Sequence, residues 1–257
     1  MATQTAPVTS RARSSTGGPV SESPHSVVIL QHESGAPAAI LGDSLREAGF
    51  RLDVRLLCSG DEVPGSLNGH DALIVLGGEM NVGEESDYPF LRAEQELLGE
   101  AVRSGFPTLG ICLGAQQLAA SCGGSVVRRG ALALGWYPFD VKREDALLTG
   151  VDPRTLVFHW RQYACRLPDE AVLIASGDGD PQVFRLGNAA WGIQFHPEPS
   201  LEVLAGWFAD DPQTVAGGSG HGVDELLAES RQRLPASATL CRQVAVNFLD
   251  ATGLAPR

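Results

Sequence analysis

The 257-residue sequence has no long hydrophobic run. Its longest, such as Ala72 to Leu76, are of strand length, whereas about 18 consecutive apolar residues are needed to span a bilayer. A membrane-spanning chain is not expected. Basic residues are also scarce: 19 Lys and Arg stand against 31 Asp and Glu, a formal charge of -12, and that field repels phosphate backbones and anionic lipid headgroups. Neither nucleic acid nor a membrane surface is an expected partner. The five cysteines, at 58, 112, 122, 165 and 241, form no C-x-x-C pair and are odd in number, which argues against a disulfide framework and a zinc site. No G-x-x-x-x-G-K-[ST] loop and no cluster of metal ligands stands in the sequence, so no cofactor or metal is called for. Residues 1–25 are short of large apolar side chains and are expected to be a disordered leader. Arg11 and Arg13 are not followed by an apolar core, so this leader does not read as a secretion signal and a cytoplasmic location is expected.

What is present, 43% hydrophobic and 19% charged residues, is enough to bury a sizeable core, expected over 26–252 with a tail at 253–257. Val27 to Leu30 is a strand-length run, followed by Ile40, Leu41, Leu45 and Ala48 at helical spacing and a stop at Gly49. Phe50, Leu52, Val54 and Leu56 alternate as a half-buried strand. Ala72 to Leu76 predicts a central strand ending in Gly77-Gly78, then a helix from about Pro89 to Arg103 and a further strand over 107–111. Such alternation predicts an α/β fold: a mostly parallel sheet with helices on both faces and reactive groups at the carboxyl ends of its strands. Between about 125 and 195 short β-type runs dominate, predicting a small antiparallel or mixed portion. Past 199 the chain turns helical, with a loop expected around Val215 to Gly220 and a last amphipathic helix from about Ala236 to Leu249.

The sharpest chemical signal is Gly110-Ile111-Cys112-Leu113-Gly114, a strand running straight into a helix with Cys between two glycines. A cysteine in an apolar stretch is commonly just buried. Here the paired glycines read as a nucleophile elbow, in which side chains at the flanking positions would collide with their surroundings. The partial positive charge of a helix N-terminus also favours a thiolate. His196 follows the apolar run Trp191 to Phe195, and Glu198 stands two residues on, placed to orient the imidazole, with Pro197 stiffening the link. Acyl transfer also needs donors for its oxyanion. The elbow offers the N–H of Leu113, and Gly77-Gly78 is the best candidate for a second donor, although a lone Gly-Gly also suits a tight turn.

Taken together, Gly77-Gly78, Gly110 to Gln116 and Gly192 to Glu198 resemble the class I, triad-type glutamine amidotransferases, and the free-standing GMP-synthase-like members most closely. The resemblance runs from about Val27 to Leu249 and includes Gly135-Trp136-Tyr137-Pro138. It implies a flavodoxin-like fold, a Cys112 thioester with the γ-glutamyl group, His196 as proton shuttle and Glu198 holding His196. It further implies an oxyanion hole at Gly78 and Leu113, and glutamine binding by Gln116 beside Gly77. One stretch departs from the family pattern. Where relatives show a His-Gly-Asp segment lining the pocket, this sequence reads Phe158-His159-Trp160-Arg161-Gln162-Tyr163, and Ala133 replaces an acidic residue. His159, Arg161 and Tyr163 are therefore expected to shape the substrate pocket, with Arg161 able to pair with a carboxylate of a γ-glutamyl compound larger than glutamine.

Three functions compete at this point. The first is a glutaminase that supplies ammonia to a separate synthetase or ligase subunit. The second is a stand-alone γ-glutamyl amide or peptide hydrolase that releases an amine, and the third is a non-catalytic partner-binding protein. Cys112, His196 and Glu198 together favour the two enzymes.

Overall fold

The computed structural model describes residues 25–254, so the expected leader lies outside them apart from His25, as does the end of the expected tail. The first half alternates as its apolar runs predict: β1 (Ser26–Gln31), α1 (Ala39–Glu47), β2 (Arg51–Leu56), β3 (Ala72–Val75), α2 (Phe90–Ser104), β4 (Thr108–Ile111) and α3 (Leu113–Ser121). The second half holds β5 (Ser125–Tyr137), β6 (Asp140–Val141), β7 (Val157–Arg166), β8 (Val172–Gly177), β9 (Asp180–Leu186) and β10 (Ala190–Ile193). It closes with α4 (Leu201–Asp210), α5 (Pro212–Gly218) and α6 (Val223–Ala251).

Eight strands form the main sheet in the order β2-β1-β3-β4-β10-β9-β8-β6. The first five are parallel and the last three extend it antiparallel. β5 and β7 make a separate antiparallel ribbon. The architecture is the expected flavodoxin-like one, with the small antiparallel portion in the expected half of the chain.

Side-chain alternation explains the layers. Val27, Ile29 and Ile74 face one side of the sheet, where Leu41 and Leu45 of α1 and Val244 and Phe248 of α6 cover them. Val28, Leu30, Leu73 and Val75 face the other side, under Leu97 and Leu98 of α2 and Leu118 of α3. Both faces being covered, β3 is apolar throughout and β1 is apolar from Val27 to Leu30, and each large apolar side chain contributes roughly 1.5–3 kcal/mol on burial. A third cluster, including Trp136, Phe158, Leu204, Phe208 and Leu226, fastens the ribbon to α4 and α6.

Two helical expectations need correction. The final helix begins at Val223, not near Ala236, and runs through Pro235. Proline removes an N–H and usually ends or kinks a helix, so a sequence reading starts the helix after it; here Leu226, Ser230 and Leu234 before the proline are buried like Leu240 and Val244 after it. The loop expected at Val215 is the short α5, whose start is set by Pro212 and by Asp211, which accepts the Thr214 N–H at 3.0 Å. Among the described residues no helix is long and apolar enough to cross a membrane.

For the site, the decisive feature is register. β3, β4 and β10 are neighbours, with Val75 opposite Gly110 and Ile111 opposite Ile193. The segments leaving their carboxyl ends, which carry Gly77-Gly78, Cys112 and His196, therefore emerge side by side.

Candidate active site

Cys112 occupies the turn between β4 and α3 with φ 50° and ψ -104°, a backbone conformation that L residues rarely adopt and that costs on the order of 1–3 kcal/mol. The surroundings hold it there. Its N–H donates to the Ile193 carbonyl at 2.8 Å, and the N–H of Gly114 donates to Leu76 at 3.1 Å. A β-carbon at Gly114 would lie 2.2 Å from the Val75 carbonyl oxygen, and one at Gly110 would lie 2.5 Å from that of Gly114. Both glycines are thus demanded by backbone packing around the turn.

His196 lies three residues beyond β10, with its backbone N–H donating to Phe158 at 2.8 Å. Its Nδ1–H donates to Glu198 Oε1 at 2.8 Å, and both side chains are buried. The Glu198 carbonyl accepts the Ile40 N–H at 3.0 Å, which ties this segment to α1. Burial works against a charged imidazole. The Cys112 sulfur and the Glu198 carboxylate outweigh it and hold the His196 pKa well above its ordinary value. Trp207 packs edge-on against the ring, 5.2 Å between centroids. On the Cys112 side, a β-carbon at Gly77 would come within 2.7 Å of His196 Cε1 and 3.4 Å of the Cys112 Cβ. Glycine is what lets this strand end close on both side chains.

Cys112 and His196 open into a cleft of about 740 Å³, lined also by Gly77, Gly78, Leu113 and Gln116. Among the described residues no hydrogen bond from the Gly78 or Leu113 N–H to protein is found, so neither donor is engaged within the protein. Gln116 is buried and reaches the Tyr163 carbonyl and Gln194 Oε1 only at 3.4 Å each. The structure thus places a thiol, an imidazole backed by a carboxylate and two backbone N–H groups without a protein partner at one cavity, an arrangement suited to acyl transfer.

Residues 38–206 match the pattern of the family described as Glutamine amidotransferase class-I. The chain belongs to this family. It is 28% identical to the glutamine amidotransferase-like protein YfeJ of Salmonella typhimurium over 212 residues, which cover 80% of this chain and 89% of that protein. A glutamine-hydrolysing GMP synthase of Porphyromonas gingivalis is 32% identical over 144 residues, 54% of this chain but only 27% of the synthase. Among solved structures, a glutamine amidotransferase from Thermotoga maritima superposes with a TM-score of 0.82 at 26% identity, covering 89% of this chain and all of that one.

The remaining pocket residues of this amidotransferase are placed unevenly. Arg161 and Tyr163 line the cleft, but His159 is absent from its walls. His159 packs edge-on to Tyr137 and against Phe195, and burial together with the Arg161 charge pushes its pKa well down. Arg161 is buried with three N–H groups engaged: one with Asp180 at 3.2 Å, one with the Tyr163 carbonyl at 3.0 Å and one with His159 Nδ1 at 3.4 Å. Asp180 also pairs with Arg129 at 2.7 Å. Sequence reasoning missed Asp180 and Arg129, which come from β9 and β5 and meet only across the ribbon. It also missed Trp160 and Trp207, which add aromatic surface to the cleft, and Glu33, which lines it after β1. The rule that reactive groups follow the carboxyl ends of parallel strands would have found Glu33 and its neighbour His32.

Proposed function

We propose that this amidotransferase hydrolyses the γ-amide of glutamine through a Cys112 thioester and passes the ammonia to a separate synthetase or ligase. The observation that carries the reading is the convergence of Cys112 and His196 on one cleft, with Glu198 hydrogen-bonded to the imidazole and the His196 pKa held well above its ordinary value by its two neighbours. The Cys112 thiolate adds to the γ-carbonyl, and the oxyanion that forms takes the N–H groups of Leu113 and Gly78. His196 gives its Nε2 proton to the amide nitrogen, the C–N bond breaks and ammonia leaves. Water then adds to the thioester with His196 accepting its proton, and the collapse returns Cys112 and releases glutamate. Glu198 accepts from Nδ1 throughout and so keeps Nε2 turned to the reacting atoms. Activation of the acceptor, for which this sequence offers no G-x-x-x-x-G-K-[ST] phosphate loop, is assigned to the partner. Ammonia release from glutamine by the purified chain, abolished in Cys112→Ser, tests the reading; turnover that survives in Cys112→Ser would sink it. With its cysteines free, including exposed Cys58, the enzyme is assigned to the reducing cytoplasm.

The cleft supports a second reading. A volume of about 740 Å³ far exceeds what a molecule as small as glutamine fills, and Trp160, Tyr163 and Trp207 offer apolar surface for a longer leaving group. A stand-alone γ-glutamyl amide hydrolase would show higher kcat/KM on a γ-glutamyl arylamide or alkylamide than on glutamine, and equal or lower values would return free glutamine to first place.

A further inference from the structure

Among the described residues, one ion pair with both side chains fully buried lies outside the Cys112, His196 and Glu198 group yet contacts Gly77 and Gly78, which line the same cleft. His32, the residue after β1, and Glu94, in the second turn of α2, both have fully buried side chains. His32 Nε2 meets Glu94 Oε2 at 2.8 Å, and Nδ1 meets the Gly77 carbonyl at 3.0 Å. With Glu94 ionised, carbonyl and carboxylate both only accept, so the ring donates from both nitrogens as an imidazolium. Burial alone would lower the His32 pKa, but the Glu94 charge and hydrogen bond and the Gly77 carbonyl outweigh it and hold the pKa above its ordinary value. A buried charge pair is costly to desolvate and is weak evidence of a contribution to stability, so its presence asks for another role.

The geometry of the peptide supplies that role. In a trans peptide the carbonyl of one residue and the N–H of the next point in opposite directions, and among the described residues there is no cis peptide bond. Pinning the Gly77 carbonyl to His32 therefore turns the Gly78 N–H the other way. Gly78 backs directly onto the imidazole: a β-carbon there would stand 2.9 Å from the His32 Cβ and 3.1 Å from its Cγ. Gly77 and Gly78 both line the cleft. The next residue along the chain supports the same loop, since the Glu33 carboxylate accepts the N–H of Glu79. Two consecutive residues after β1 thus hold two consecutive peptides after β3.

We propose that His32, clamped by Glu94, is a positioning residue that aims the Gly78 N–H at the oxyanion of the reacting γ-carbonyl. This rests on the thioester reading above and adds to it the device that orients one of its donors. His32 touches no reacting atom; it acts only through the Gly77-Gly78 peptide, so its loss impairs the chemical steps and spares both substrate binding and the thiol.

The test compares the wild type with His32→Phe/Glu94→Leu, which removes both charges together and leaves neither unpaired, and with Glu94→Gln, whose amide can donate to Nε2 of a neutral ring that still donates from Nδ1. Circular dichroism and thermal melting report the fold. With glutamine as substrate, the double variant is expected to lose roughly 30-fold or more in kcat, because a lost oxyanion donor typically costs on the order of a hundredfold. KM should stay within about threefold and alkylation of Cys112 by iodoacetamide, which needs no oxyanion hole, within about twofold. Glu94→Gln should keep at least about a third of kcat. An unchanged kcat in the double variant, or a fall in kcat matched by the alkylation rate, overturns the proposal. If the double variant does not fold, His32→Gln decides on the same readouts, with about a fivefold or larger loss in kcat alone expected. A wild type inert toward glutamine and γ-glutamyl amides would sink the amidase reading instead. The positioning role then stands or falls on a crystal structure of whichever of those two variants folds, in which a Gly77 carbonyl that keeps its orientation would overturn it.

Discussion

On the β3–β4–β10 side of the cleft, backbone meets backbone. Gly114 leaves no room for a β-carbon against the Val75 carbonyl, Gly110 none against Gly114, and the strained Cys112 hangs between them from the Ile193 carbonyl. On the β5–β7 side, side chains make the wall: Trp160 and Tyr163 present aromatic surface and Arg161 a guanidinium, held from behind by Asp180, which also pairs with Arg129. The backbone-built half cannot change without moving whole strands, whereas the side-chain-built half can be rewritten residue by residue. On this contrast the cysteine elbow is expected to hold to its family's pattern and the 158–163 segment to be free to vary. Under the proposed function, chemistry rests on the rigid half and substrate choice on the other.

The sharpest break of that contrast is at the nucleophile. Cys112→Ser is expected to lower kcat/KM by at least about a thousandfold, because a serine hydroxyl stays un-ionised beside an imidazole arranged for a thiolate, while the thermal midpoint barely moves. Next comes packing. Gly114→Ala is expected to cost about 3 kcal/mol or more in urea unfolding, since its β-carbon meets a carbonyl at 2.2 Å that only a strand shift can relieve. Gly130→Ala, in β5 with nothing within 4 Å, should stay within about 0.5 kcal/mol. Equal costs at these two glycines would break the comparison outright.

Glu198→Gln is expected to lower kcat by roughly 30-fold, a milder loss than at Cys112, because an orienting carboxylate supports the proton carrier without reacting. It should also move the pH profile. His196 has a raised pKa in part because Glu198 is charged, so activity that needs the imidazolium persists through neutrality and falls as pH rises through that raised value. Removing the carboxylate lowers the pKa and carries this alkaline limb to lower pH; a limb that stays in place would show that Glu198 acts on structure alone.

The smallest effect is sought on the side-chain wall. Arg161→Ala is expected to lower kcat/KM by about tenfold for a γ-glutamyl compound whose leaving group bears a carboxylate, and to leave glutamine nearly untouched. Two of the five guanidinium N–H groups remain for such a contact once Asp180, Tyr163 and His159 are served. Equal losses on both substrates would mean that Arg161 only props up the ribbon.

Local spacing made the parallel half legible. Strand-length runs covered on both faces, helical spacing that stops at glycine and a cysteine between two glycines are all short-range signals, and each states a steric requirement that the backbone later meets. Contacts between distant segments were not legible. His32 and Glu94 stand 62 residues apart, and only the packing of α2 beside β1 makes them a pair. Asp180 of β9 reaches Arg161 and Arg129 only because the main sheet packs against the β5–β7 ribbon, and α6 crosses Pro235 because its buried face continues on both sides of the proline.

The sequence by itself determined the α/β class and the elbow, and it named Cys112, His196 and Glu198 as the candidate reacting group, because backbone sterics leave few residues able to stand at such positions. The tertiary structure alone decided which charges are spent on one another and which face the cleft. It set His159 behind the wall, tied Arg161 to Asp180 and bound the Gly77 carbonyl to His32. The physical reason is distance: charge pairing and desolvation act through space, and strand order, which no local pattern encodes, decides what is near.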